Sequence, residues 1–143
     1  MLQLKINTGA VTVPIYDENG EKIGSFRFNP TDSNILSRLK SVVEYFEAVD
    51  YDKDGVTGLE AVQQLDENIK EQFDYLFGYP VSADLFSRNG PLSVMPNGEW
   101  FFMEILSGVT EICNQALADR AKTMDNIREA TKGYLEEAPD ETE

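Results

Sequence analysis

The stretch from Phe77 to Leu106, FGYPVSADLFSRNGPLSVMPNGEWFFMEIL, most constrains what this chain can fold into. Six residues in it break regular structure: Gly78, Pro80, Gly90, Pro91, Pro96 and Gly98. Proline removes a backbone donor and glycine loosens the chain, so the stretch cannot be one long helix. It also holds four of the eight phenylalanines and the only tryptophan. That is too apolar for a solvated linker. The stretch therefore reads as a packed, turn-rich corner between two long helices.

Upstream, alternation with period two predicts strands. Leu2, Leu4 and Ile6 alternate with polar residues, as do Val11, Val13 and Ile15. Ile23, Phe26 and Phe28 continue the pattern after a slip near Gly24. Asp17-Glu18-Asn19-Gly20 supplies a turn, because Asn-Gly tolerates positive φ. The expectation is a three-stranded β-meander over about residues 2–28, with Pro14 at an edge or a bulge.

Asn29-Pro30 closes the sheet, and Thr31, Asp32 or Ser33 caps the first helix. Ile35, Leu36, Leu39, Val42, Val43, Phe46 and Val49 form a wide apolar stripe over about 33–49. Its ordinary meaning is core packing, with a partner-binding face as the alternative. A second helix is expected from about Gly58 to Phe77 on Val62, Leu65, Ile69, Phe73 and Leu76. Gly78 and then Pro80 stop it. Ser82 caps a single turn through Phe86. A third long helix starts near Glu99 on Phe102, Ile105, Leu106, Val109, Ile112, Cys113 and Ala116. A thinner C-terminal helix, about 119–135, carries only Met124, Ile127 and Tyr134 or Leu135 on its stripe, with Arg120, Lys122, Arg128 and Lys132 beside them. The fold class is α+β: one domain over 1–135, then an acidic disordered tail over 136–143.

Charge narrows the function classes. With 12 basic and 26 acidic residues the net charge is -14. That disfavours nucleic acid and anionic membrane as partners, since both recruit clustered Lys and Arg. The opening MLQLKINTGA lacks the pattern of a signal peptide, and no apolar run approaches the ~20 residues that span a bilayer. One cysteine rules out an intrachain disulfide and suits a reducing cytoplasm. Cys113 sits in an apolar stripe and reads as a small core residue. The chain has no histidine, hence neither the usual general base nor the commonest metal ligand. No nucleophile–base pair is visible, and the chain is expected not to be an enzyme or to need a cofactor.

One motif points to metal. Asp50, Asp52 and Asp54 followed by Gly55 form DxDxDG, the start of an EF-hand calcium loop. Counting Asp50 as position 1, the bidentate Glu belongs at position 12, which is Ala61; Glu60 falls one residue early. The same residues serve a structural loop, with Thr57 and Glu60 as the capping box of the second helix. The structural reading is preferred to a Ca²⁺ site made of Asp50, Asp52, Asp54 and Glu60.

Several segments together resemble a family. They are VPIYDENGEKIGSFRFNPTDSNIL, EQFDYLFGYPVSADLF and GPLSVMPNGEWFFMEIL. Within them the similar pieces are the Asp-Glu-Asn-Gly turn, the strand exit Phe26 to Pro30, the helix end Asp74 to Gly78, and Gly90-Pro91-Leu92-Ser93 before Asn97-Gly98. They look like the small tail assembly chaperones of long-tailed phages and prophages of Gram-positive hosts, over most of residues 11–135. The resemblance implies a non-enzymatic protein that coats the tape measure protein, keeps it soluble and recruits tail tube subunits in the bacterial host cytoplasm. It also implies that the gene can yield a longer, frameshifted product. The C-terminus departs from the family, whose last helix is more basic and ends in a Lys/Tyr-rich run. Partner-binding candidates are Phe77, Phe86, Trp100, Phe101, Arg120, Lys122, Arg128 and Lys132, with the aromatics read first as core. A homo-oligomer is an open expectation. Alternative readings are a tail structural protein retained in the virion and a Ca²⁺-binding EF-hand-like interaction module.

Overall fold

The computed structural model describes residues 2–49 and 58–137, with side chains described through Lys132. The order is β1 (Val11–Tyr16), β2 (Lys22–Phe28), α1 (Ser33–Ala48), α2 (Leu59–Phe77), α3 (Ser82–Leu85) and α4 (Phe101–Glu137). The class is α+β, and two details of the expectation are corrected.

First, the sheet has two strands among the described residues. β1 and β2 pair antiparallel, Val13 opposite Phe26, with a bulge at Ile23 between the Ile15–Gly24 and Tyr16–Lys22 pairs. That bulge is the slip seen near Gly24. The Asp17 carboxylate accepts from the Asn19 and Glu21 amides, and Gly20 takes φ +78°, which closes the hairpin. Residues 2–8 alternate like a strand yet pair with nothing described. Leu2, Leu4 and Ile6 are 101%, 84% and 69% exposed. Gly9 turns at φ +76°, its amide bonded to the Asn7 side chain, and the Asn29 amide holds the Thr8 carbonyl at 2.6 Å. This local turn breaks the line of the chain before β1 begins. Alternation fixes which way side chains would point, and a strand also needs an edge to pair with.

Second, the expected third and C-terminal helices are one helix, α4, of 37 residues. Nothing between Ala116 and Asp119 breaks a helix: the sequence there is Ala-Leu-Ala-Asp, made mostly of good helix formers. The stripe thins at this point because the helix leaves the core.

The helix ends follow local chemistry. Asp32 caps α1, its carboxylate accepting from the Asn34 amide at 2.9 Å. Gly58 is the N-cap residue of α2, without a side-chain bond; Thr57, the expected cap, lies outside the described residues. Gly78 ends α2 in the left-handed conformation at φ +76°. The Asp74 carboxylate accepts from the Ser82 amide (2.8 Å) and hydroxyl (3.1 Å), so the end of α2 sets the start of α3.

One core joins these elements. Phe26 and Phe28 stack at 5.4 Å and meet Phe77 edge-on. Phe46 meets Phe102 at 4.9 Å, and Phe73 meets Phe86 edge-on at 5.2 Å. Val42, Ile69, Phe73, Leu76 and Phe102 have no exposed surface. Edge-to-face pairs of this kind add to the gain from burial alone. No helix is long and apolar enough to cross a membrane.

Candidate partner-binding surfaces

The corner between α2 and α4 is packed structure. Pro91 is fully buried, and Val94 and Trp100 form an isolated antiparallel bridge. Met95 donates to the Glu99 carbonyl and Gly98 takes φ +86°, closing a small turn. The first amides of α4 are then satisfied by the corner: Phe101 donates to the Ser93 carbonyl (2.8 Å) and Phe102 to the Pro91 carbonyl (3.0 Å). Helix starts leave such donors without intrahelical partners, and the prolines and glycines shape a loop that receives them.

This arrangement places the aromatic candidates. Phe77, Phe86 and Phe101 are buried in the core, where they pack against Phe28, Phe73 and each other. They hold the fold together and present no docking surface. Trp100 is half-buried at the lip of the corner. The basic candidates lie elsewhere: Arg120, Lys122, Arg128 and Lys132 all project from the outer half of α4. The structure therefore separates the aromatic and basic groups.

Every residue from Ala118 to Lys132 is exposed. Met124 and Ile127 are 43% and 54% exposed. They lie on the helical line of Phe102, Leu106, Val109 and Cys113, so the face that packs the core continues past the body. Arg128 sits 3.6 Å from Asp125 on this outer segment, an exposed pair worth little by itself.

A second surface lies between α1 and α4. Two adjoining depressions, about 540 and 460 Å³, share Val43, Thr110 and Asn114. Their floor is apolar, with Leu36, Leu39, Met103, Leu106, Cys113 and Leu117, and their rim carries Glu44, Glu111 and Lys40. The signal for this groove was the width of the α1 stripe. Ile35, Leu39, Val42 and Phe46 are enough for the core, and Leu36 and Val43 spill onto its flank. On the α4 side nothing marked Thr110 or Asn114, because a polar residue at a groove edge looks like any surface residue.

The metal candidates stay apart from this surface. Asp50, Asp52 and Asp54 lie outside the described residues, and Glu60 is exposed in the first turn of α2. Among the described residues no three acidic or thiol side chains cluster as a metal would need. Cys113 is buried in α4, and desolvation pushes its thiol pKa above the ordinary value. A thiol in that setting is a poor nucleophile.

The chain matches no protein-family model, no curated protein and no solved structure.

Proposed function

We propose that this protein is a non-enzymatic tail assembly chaperone that binds the tape measure protein and recruits tail tube subunits in the bacterial cytoplasm. The observation that carries the reading is the set of motifs at Phe26–Pro30, Asp74–Gly78 and Gly90–Gly98, which resembles that family. Two surfaces support it. A helical client such as a tape measure can lay its apolar side into the α1/α4 groove, in the manner of helix-in-groove recognition. The outer half of α4 offers a second, amphipathic contact. A strongly acidic, stoichiometric binder would also keep an aggregation-prone client in solution.

The test is co-expression with the tape measure and tube proteins of its own genome. Co-purification with either, and a gain in soluble tape measure, is the expected result. No complex with either protein overturns the reading. A stoichiometric band of this chain in purified particles would instead make it a tail structural protein.

A further inference from the structure

We infer that the protein self-associates head to tail, the outer half of α4 of one copy lying in the α1/α4 groove of the next. The inference stands apart from the tail-assembly reading and needs no other partner.

Two unpartnered surfaces on one chain carry it. The segment from Ala118 to Lys132 is a helix without a body to pack on, yet it keeps Met124 and Ile127 in register on one face. Isolated helices of this length are marginal in water and persist when an apolar face is covered. The groove is the reverse: an apolar floor with no helix over it.

Charge selects the occupant. Residues 118–132 hold four bases (Arg120, Lys122, Arg128, Lys132) against three acids (Asp119, Asp125, Glu129). Residues 1–117 hold eight bases against eighteen acids. The outer helix is therefore the one net-positive element on an acidic molecule. Arg120 and Arg128 flank its apolar residues, and Glu44 and Glu111 stand on the groove rim with a single Lys40 between them. An arginine-flanked apolar helix meeting an acid-rimmed apolar groove is complementary in both respects.

Length agrees. At about 1.5 Å per residue, Ala118 to Lys132 spans roughly 21 Å, and the groove from Met103 to Leu117 spans roughly the same. The geometry also sets the symmetry. Along α4 the groove wall is the line of Met103, Ser107, Thr110 and Asn114, and the exposed apolar face continues the neighbouring line of Phe102, Leu106, Val109 and Cys113. These lines are one residue apart, about 100° around the helix. Two α4 helices lying antiparallel cannot present both faces to each other at once. The contact is therefore heterologous, and a heterologous contact does not stop at two copies unless a ring closes.

Sedimentation of the full chain over a range of concentrations tests this, with two variants at exposed sites. Ile127→Asp removes the helix face and leaves the groove intact. The double variant Glu44→Lys, Glu111→Lys reverses the rim and leaves the helix intact. The wild type is expected to exceed the mass of two chains as concentration rises, and to dissociate as salt is added. Each variant alone is expected at the mass of one chain, 16.1 kDa, with an unchanged melting curve. Mixed together, the two are expected to form a 1:1 pair that grows no further, because each supplies the surface the other lacks. A wild type that stays monomeric overturns the inference. So does assembly untouched by Ile127→Asp, or a mixture that fails to pair.

Discussion

The two halves of α4 share one helix and differ in what surrounds them. From Phe101 to Leu117 the helix is a wall of the core: Phe102, Leu106, Val109 and Cys113 are buried, and the corner carbonyls hold its first amides. From Ala118 onward every side chain described faces solvent. The periodicity runs through both halves, and burial stops at the edge of the body. A stripe in sequence states which residues share a face. Whether that face is core or binding surface depends on how far the rest of the fold reaches.

The largest test of this contrast is truncation within the buried half. Phe102→Ala should cost about 3–5 kcal/mol, as expected for deleting a fully buried aromatic that packs on Phe46. Thermal or denaturant unfolding measures it, and the fall in melting temperature should be on the order of 10 °C. Ile127→Ala in the outer half should stay within about 0.5 kcal/mol of wild type in dilute solution. Comparable losses for the two would erase the distinction.

A smaller effect is expected where the body is tightest away from α4. A Cβ at Gly24 would come 2.8 Å from the Asp84 backbone carbonyl oxygen, where α3 packs on β2. Gly24→Ala should therefore cost about 1–3 kcal/mol, the range for forced overpacking. An unchanged unfolding midpoint would mean that α3 shifts freely. Such freedom would place it with the outer helix rather than with the body.

The outer half can be broken alone. Ala121→Pro should interrupt the helix there. Far-ultraviolet circular dichroism should lose helical signal while the unfolding temperature of the body holds. Amide hydrogen exchange in the wild type should follow the same division, fast over 118–132 and slow over 102–113. Loss of body stability in Ala121→Pro would mean that the halves are energetically coupled.

The smallest effect concerns Cys113. Burial raises its thiol pKa in the folded protein, so the folded state holds its proton to higher pH than the unfolded state does. The stability linked to it is full below the ordinary thiol pKa and is lost as pH rises above it. The decline should be steeper in wild type than in Cys113→Val, measured by unfolding at matched pH values from neutral upward. A thiol reagent should likewise label Cys113 at the rate of unfolding. Fast labelling of the native protein would move Cys113 out of the core.

Much of this architecture was legible because local chemistry wrote it. The Asn19-Gly20 turn, the Asp32 cap, the Gly78 stop and the aromatic start of α4 are decided by residues a few positions apart. The stripes of α1 and α2 fall where period 3.6 puts them. The fate of Leu2, Leu4 and Ile6 was not legible, since strand pairing needs an edge elsewhere in the molecule. Nor was the continuity of α4, because a thinning stripe reads the same whether a helix ends or leaves the core. The site shared this limit. The aromatics of the corner looked equally suited to core and contact, and the groove depends on the spacing of two helices that are distant in sequence.

The sequence by itself determined the turns, the caps, the helix faces and the acidic balance, because each rests on short-range sterics, hydrogen bonds or a simple count. Tertiary structure decided which apolar faces meet. It buried Phe77, Phe86 and Phe101, left Met124 and Ile127 in water, and opened the groove between α1 and α4. Burial is a property of what lies opposite a side chain, and that is set only when the whole chain has packed.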